Sequence, residues 1–278
     1  MRHHRRVRDA IIRWWMRRSD ALMYIGKANR EAYLHYGARE EKLFFSPFSV
    51  DVELIDGIRA SYTGGERSVL RQRWGLPPNI PVVLSVGKLV HQKRPHAVLD
   101  IARALGDSAH VVFAGSGPVE PELKARAAAD GLDNVSFLGF VNQSKLPEVF
   151  ACADIFVMAS TGETWGLVVN EAMAAGAVPV VTNEVGSHYD LITEGLTGYV
   201  VPAGDDDSMI FRVSALVSDE ALRARLSDAA RKRIGAYTYD ATAEGILTAL
   251  RAVGALPAAA LNTGASVPAV VDASKSMH

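Results

Sequence analysis

The chain has 278 residues, 49% of them hydrophobic, with 30 basic and 31 acidic side chains. This length allows one sizeable hydrophobic core and a second small unit. The net charge of -1 excludes a global electrostatic field that would attract nucleic acid. Cys152 is the single cysteine, so no intramolecular disulfide can form, which fits a reducing cytoplasm. Its apolar neighbours predict a small buried residue and not a nucleophile. The sequence has no recognisable secretory signal and no apolar run of membrane-spanning length.

The first 50 residues predict a small unit that begins with a basic amphipathic helix. Residues 1–18 contain seven arginines against a single acid, Asp9, with Trp14 and Trp15 among the apolar residues. Two short strands, at 21–25 and 43–45, flank a predicted helix at 29–36. Residues 51–78 are polar and interrupted by Gly64 and Gly65, so a linker or hinge is predicted there.

From residue 79 to 235 apolar runs alternate with helix-like segments, which predicts an α/β domain. The runs predict buried strands at 82–86, 110–114, 135–138, 155–159, 178–181 and 199–201. Helices are predicted between them, at 95–105, 118–130, 145–151, 167–175 and 188–193, and after them at 206–217 and 219–234. This alternation is typical of a doubly wound parallel sheet covered on both faces. A C-terminal helix is predicted within 236–254, and residues 255–278, rich in Ala, Pro, Ser and Thr, predict a disordered tail.

Glycines and charged residues concentrate in the loops that follow four of the predicted strands. These loops are Gly87–Arg94, Gly115–Pro118, Ser160–Gly166 and Thr182–Ser187. Ligands of doubly wound sheets bind beyond the carboxyl ends of the strands, so we expect a ligand site at this edge.

The Ser160–Gly166 loop is the most informative, because it leads directly into a predicted helix. The free backbone N–H groups and the dipole at that helix start form an anion site that suits a pyrophosphate. Lys88 and Lys93 add two cations from the first loop. Glu163 precedes the helix and Glu171 lies inside it, so the two carboxylates can contact different parts of one elongated ligand.

The run from Glu163 to Gly176, ETWGLVVNEAMAAG, resembles the EX7E signature of glycosyltransferase family four, which has the GT-B fold. Two glutamates at this spacing are a weak signal alone. Together with the intervening Gly166, the Ala-Met-Ala at 172–174 and Pro179 they are a strong one. Gly87-Lys88-Leu89 with Lys93, and the segments 113–118 and 135–140, are similar to family elements in the same order. The resemblance covers roughly 19–253.

The resemblance implies a retaining hexosyltransferase with a nucleoside-diphosphate sugar, UDP- or GDP-linked, as donor and a glycan or lipid-linked acceptor. Glu171 would bind the ribose, Glu163 the transferred hexose, and Lys88 and Lys93 the diphosphate, so Glu163, Lys88 and Lys93 are the expected catalytic residues. No metal and no cofactor is implied. The full set of predicted donor contacts is Gly87, Lys88, Lys93, Gly115, Gly117, Phe137, Phe140, Glu163, Thr164, Trp165, Gly166, Leu167 and Glu171.

Several of these residues also have a structural interpretation. Gly115-Ser116-Gly117 equally fits a tight turn. Trp165 fits packing of the loop against the core somewhat better than stacking on the sugar. The residues Asn183, Glu184 and Gly186 equally fit a plain turn. His91, His96 and His188 lack metal-site spacing and are expected in surface or packing roles.

Family members carry a full N-terminal acceptor domain, whereas residues 19–51 resemble only its last stretch. Residues 1–50 are therefore interpreted as a remnant of that domain, and a truncated gene, a late start codon or one half of a split enzyme with a partner chain all remain open. The basic helix has two interpretations. It lies on an anionic membrane at the inner face, near a lipid-linked acceptor, or it packs on the absent domain, which we favour because Trp14 and Trp15 would then be core residues.

Overall fold

The computed structural model describes residues 2–257. Its main sheet has six parallel strands in the order β5-β4-β3-β6-β7-β8. The strands are β3 Val82–Val86, β4 His110–Ala114, β5 Val135–Gly139, β6 Ile155–Met158, β7 Val178–Thr182 and β8 Tyr199–Val201. The chain winds outward from β3 to β5, returns to the centre and winds the other way from β6 to β8. The order therefore reverses between β3 and β6, and this reversal opens a crevice at their carboxyl ends.

Helices cover both faces of this sheet. They are α3 Val52–Ser61, α4 Gly65–Arg73, α5 Pro95–Leu105, α6 Glu120–Ala129, α7 Leu146–Cys152, α8 Leu167–Ala174, α9 His188–Leu191, α10 Asp206–Ser218 and α11 Glu220–Ile234. One core joins alternate strand residues to α3, α4, α7 and α8, and the other joins the remaining strand residues to α5, α6 and α10. Every residue of β4, β6 and β7 is buried, because both faces are covered.

A small N-terminal unit sits beside the sheet domain. It contains α1 Arg2–Arg18, β1 Leu22–Tyr24, α2 Lys27–His35 and β2 Leu43–Phe45, and the two strands pair in parallel. The C-terminal helix α12 Tyr239–Ala252 packs on these strands. Gly245 permits the contact, since a Cβ there would lie 2.0 Å from the Phe45 carbonyl oxygen. No helix among residues 2–257 is both long and apolar enough to cross a bilayer.

The predicted linker at 51–78 is wrong as a description of local structure. Residues 51–73 form α3 and α4, which pack onto the sheet domain through Ile55 and Leu70, 4% and 0% exposed. Arg71, 5% exposed, is buried against Asp154 at the start of β6. The segment looks polar in sequence because part of its buried face consists of arginine, whose partner is 83 residues away.

The other predicted elements are confirmed to within two residues at each end, including all six strands of the sheet. Cys152 is fully buried, as predicted. The predicted tail at 255–278 lies outside the described residues from position 258 onward.

Candidate functional site

Two loops meet over the crevice between β3 and β6. The Thr161 N–H donates to the Gln92 carbonyl over 2.8 Å, and the Gln92 side-chain amide donates to the Gly162 carbonyl over 3.2 Å. These contacts join the loop after β3 to the loop after β6. The topology thus brings Lys88, Lys93 and Glu163 to one edge, where ligands of such sheets bind.

Lys93 and Glu163 form an ion pair across this crevice. Their side chains are 28% and 22% exposed, so both remain reachable from solvent. Lys88 lies on the same loop as Lys93 and is exposed. Among residues 2–257 no carboxylate lies within 4 Å of its ammonium, so its charge is open to an anionic ligand.

The loop that carries Glu163 is braced by the loop after β7. The Glu163 N–H donates to the Glu184 carbonyl over 2.9 Å, and the Gly186 N–H donates to the Glu163 carbonyl over 2.9 Å. A Cβ at Gly186 would lie 2.0 Å from the Thr164 carbonyl oxygen. Gly186 is therefore required for the close approach of two backbones, and this contact sets the height of Glu163 above the sheet.

Helix α8 begins directly after this loop. Gly166 adopts the left-handed conformation, with φ 86° and ψ 64°, and a Cβ there would meet the Val185 side chain at 3.0 Å. Both the backbone conformation and the lack of space therefore favour glycine at this position. Among the described residues, the backbone N–H groups of Leu167 and Val168 have no acceptor. Free N–H groups and the dipole at a helix start favour an anion, and Lys88 and Lys93 belong to the loop after β3, at the same edge of the sheet.

Glu171 lies in α8, a little over one turn from its start, and is 8% exposed. Its Oε1 accepts a hydrogen bond from the Gln143 amide over 2.9 Å. Burial raises the pKa of the Glu171 carboxyl, and the Gln143 hydrogen bond opposes that rise. No basic side chain of residues 7–257 forms an ion pair with it. A buried carboxylate with one donor has room for further hydrogen-bond donors from a ligand.

Gly115 and Gly117 allow the loops after β3 and β4 to touch. A Cβ at Gly115 would lie 2.0 Å from the Gly87 carbonyl oxygen, and one at Gly117 would lie 2.2 Å from that of Leu89. The two glycines thus have a packing role that shapes the loop carrying Lys88, in agreement with the tight-turn interpretation, and the donor contacts predicted for them stay predictions.

Two aromatic residues predicted as donor contacts pack against other aromatic rings. Trp165 is 5% exposed, packs on Phe48 and donates from Nε1 to Asn170 over 3.0 Å, so its ring is not free to stack on a sugar. Phe137 is partly buried and stacks on Phe113 at 4.9 Å, against the core beside α6. The burial of Trp165 agrees with the packing interpretation, whereas the donor contact predicted for Phe137 stays a prediction.

The other predicted contacts lie at the carboxyl edge. Phe140 follows β5 and is 80% exposed, Thr164 is exposed beside Glu163, and the Leu167 side chain is 41% exposed at the start of α8. Gly87 directly follows β3.

Sequence reasoning missed Gln143 and Asp190. Asp190 is buried in α9 and accepts from the Lys27 backbone N–H at 3.0 and 3.1 Å, which ties the N-terminal unit to the loop after β7. Both contacts join residues far apart in the chain, and no local pattern could have indicated them.

Two cavities, of about 410 and 350 Å³, lie away from this edge, between α3, α4 and α11. Much of their charged lining is already paired, as in Arg59 with Asp56 and Arg67 with Asp154. The edge between β3 and β6 is the better candidate for a ligand site, because in the described part of the chain Lys88 has no ion-pair partner and the first N–H groups of α8 have no acceptor.

Comparison with known proteins identifies a family for this chain. Residues 66–233 match the family model described as "Glycosyl transferases group 1". The chain is 32% identical over 244 residues to a D-inositol 3-phosphate glycosyltransferase of Geodermatophilus obscurus, covering 83% of this chain and 52% of that protein. It is 31% identical over 204 residues to the alpha-D-kanosaminyltransferase of Streptomyces kanamyceticus, covering 72% and 52%.

Among solved structures, Anabaena HepE in complex with UDP has a similar fold, with a TM-score of 0.74 and 20% identity over 88% of this chain and 66% of that one. At this identity the likeness concerns the fold alone. The chain spans about half the length of the curated relatives it matches. Since the family model covers most of the sheet domain, the chain belongs to the glycosyl transferases group 1 family.

Proposed function

We propose that this chain carries the donor half of a glycosyltransferase that moves a hexose from a nucleoside-diphosphate sugar, UDP- or GDP-linked, to a glycan or lipid-linked acceptor with retention of configuration. The observation that carries the proposal is the crevice at the strand reversal. It combines the Lys93–Glu163 pair, the exposed Lys88 and the free N–H groups at the start of α8. The buried Glu171 lies a turn further along the same helix.

The diphosphate is assigned to the centre of this crevice. When the bond between the anomeric carbon and the diphosphate oxygen breaks, negative charge grows on the departing phosphate. Lys88, Lys93 and the helix start supply positive potential at that place without a metal ion. Because Lys93 is paired with Glu163 in this structure, a bound diphosphate would compete with Glu163 for its ammonium.

The two carboxylates are assigned to opposite ends of the donor. Glu171 accepts hydrogen bonds from the ribose hydroxyls and Glu163 from the hexose. Carboxylates suit both tasks because each accepts several hydrogen bonds. The EX7E spacing of family four supports these roles, and the named relatives of group 1 are glycosyltransferases.

Isothermal titration with UDP, GDP, ADP and their sugars tests the donor site. Glu171→Ala should weaken the preferred nucleotide by at least ~10-fold, since a hydrogen bond to a charged group contributes about 1.5–3 kcal/mol. Glu53→Ala, which removes an exposed carboxylate on α3, is the matched control and should leave the affinity unchanged. Absence of binding by all of these ligands would refute the donor-site proposal.

A second candidate is a donor-binding fragment that needs a partner chain to supply the acceptor side. Two observations favour it. The chain spans about half of its curated relatives. In addition, α1 exposes an apolar stripe of Val7, Ile11, Trp14 and Trp15, which are 49%, 54%, 50% and 60% exposed. A stripe of this kind is typical of an interaction surface.

Product release separates the two candidates. A chain that binds a nucleotide sugar but releases no nucleotide diphosphate with any glycan or lipid-linked acceptor supports the fragment.

A peripheral membrane contact is the alternative occupant of the α1 stripe, since arginines flank it. Flotation of the whole chain with anionic vesicles, beside a Trp14→Ala, Trp15→Ala variant, decides that point. Equal flotation of both proteins would exclude the stripe as a membrane anchor.

A further inference from the structure

Glu171 is a buried carboxylate, and within the described part of the chain no cation forms an ion pair with it. Its helix packs against α3, α7, α11, β6 and β7. The strands carry no titratable side chain. Some charged groups of the helices have partners elsewhere, as in Asp56 with Arg59, Glu148 with Lys145 and Arg231 with Asp228. The other titratable groups of these helices are Glu53, Cys152, Glu220, Arg223, Arg225, Lys232 and Arg233, and no basic group of these helices forms an ion pair with Glu171. The ionised form of Glu171 therefore depends on hydrogen bonds.

Among the described residues, Gln143 is the one hydrogen-bond donor to this carboxylate. It lies in the loop between β5 and α7, 28 residues before Glu171, and is itself exposed. The loop is braced by Asn142, whose side chain accepts from the Ser144 N–H over 3.0 Å and whose carbonyl accepts from the Lys145 N–H over 2.8 Å. The turn thus presents Gln143 over the buried end of the crevice.

Fixing an exposed glutamine in one rotamer is unfavourable, because its side chain loses conformational entropy. The hydrogen bond to Glu171 offsets that loss, since a bond to a charged acceptor is stronger than one between neutral groups. Gln143 occupies Oε1 only. Oε2 has no donor among the described residues, so the carboxylate keeps lone pairs for a ligand.

We propose that Gln143 is a positioning residue for donor binding, which holds the Glu171 carboxylate ionised and turned so that it can accept hydrogen bonds from the two ribose hydroxyls. This inference rests on the donor-site function proposed above. Gln143 and the ribose hydroxyls can contact the carboxylate at the same time, because they use different lone pairs. Gln143 therefore keeps its hydrogen bond when the donor binds.

The proposal makes a directional statement about pH. A hydrogen bond donated to the ionised form lowers the pKa of a carboxyl, so loss of the Gln143 amide should raise that of Glu171. Donor binding needs the ionised form of Glu171. As the solution is acidified, a variant without this amide should therefore lose donor binding at a higher pH than the wild type does. We expect the acid midpoint of donor binding to rise by about one pH unit in Gln143→Leu. In Gln143→Glu it should rise further, because a second carboxylate opposes ionisation.

The experiment is titration calorimetry of the whole chain with UDP-glucose or GDP-mannose, whichever the wild type binds, between about pH 4.5 and 8.5. Such diphosphate diesters do not titrate in this range, so the midpoint reports the protein. Gln72→Leu, which replaces an exposed glutamine on α4, is the matched control and should follow the wild-type profile. Circular dichroism of each variant checks that it is folded.

In order of increasing pH, the acid midpoints of donor binding should be those of the wild type, Gln143→Leu and Gln143→Glu. At the alkaline end of the range, the donor affinity of Gln143→Leu should lie within about threefold of the wild-type affinity. A residue that merely shapes the loop would lower affinity equally at every pH. Midpoints that coincide with the wild type would overturn this inference while leaving the donor site intact. A wild type that binds no nucleotide sugar at any pH would overturn the proposed function and this inference with it.

Discussion

Asp154 fastens α4 to the start of the sheet, and its removal tests how much of the stability lies in that contact. Its Oδ2 accepts from Arg71 over 2.6 Å and from the Val82 N–H over 2.7 Å, and its Oδ1 accepts from Arg67 over 2.8 Å. Burial alone would raise the pKa of Asp154, but the charges of Arg67 and Arg71 and the Val82 hydrogen bond hold it below its ordinary value.

The cost of Asp154→Ala follows from what is left behind. Arg71 is 5% exposed and would keep its charge, with bonds only to the carbonyls of Cys152, Pro78 and Ile80. Stranding one partner of a buried ion pair typically costs about 3–5 kcal/mol, and we expect that loss in the free energy of unfolding. Asp154→Asn keeps one acceptor oxygen and should cost about 2 kcal/mol.

Urea unfolding followed by tryptophan fluorescence measures both variants at neutral pH. The control is Asp228→Asn, whose side chain is 73% exposed in its pair with Arg231 and which should cost less than about 1 kcal/mol. A value for Asp154→Ala that matches the control would refute the reasoning.

The pH dependence of unfolding is a second check. The folded-state pKa of Asp154 is depressed, so its contribution is fully present above the unfolded value of about 4 and is lost as pH falls through the folded value. The difference in the free energy of unfolding between the wild type and Asp154→Asn should therefore become smaller below about pH 4. A gap that stays constant down to about pH 2 would contradict the assigned electrostatic origin.

Two further predictions concern the loop after β7 and the lone thiol. Gly186→Ala should lower the free energy of unfolding by about 1–3 kcal/mol and weaken nucleotide binding, because its Cβ meets the Thr164 oxygen at 2.0 Å. The control is Gly57→Ala on α3, where an added Cβ meets no atom within 4 Å, and this variant should be more stable than the wild type by up to about 1 kcal/mol. Equal melting curves for the two variants would contradict the steric argument. Burial raises the pKa of the Cys152 thiol to about 11, so a thiol reagent at about pH 8 should label it only on unfolding; complete labelling of folded protein within seconds would contradict this.

The strands of the sheet and the loops that follow them are predictable from the amino-acid pattern alone. Buried parallel strands are continuous apolar runs, and this pattern is local, so β3 to β8 were predicted closely. The positions of the charged residues at the edge were predictable in the same way. Lys88, Lys93 and Glu163 lie in loops that follow strands, Glu171 lies in the helix after one of these loops, and the parallel topology brings the ends of such strands together.

Tertiary structure decided which neighbours each side chain has. In the sequence Arg71 looks like a solvated linker residue, whereas in the fold it is buried against Asp154. For Trp165 the sequence favours packing only slightly over stacking on a sugar, and the fold shows its ring packed on Phe48. The hydrogen bond from Gln143 to Glu171 joins a loop to a helix, 28 residues apart, with no motif at either end. Hydrophobic periodicity reports only whether a residue is buried. The partner of a buried polar group depends on how distant segments pack, and only the folded chain specifies that.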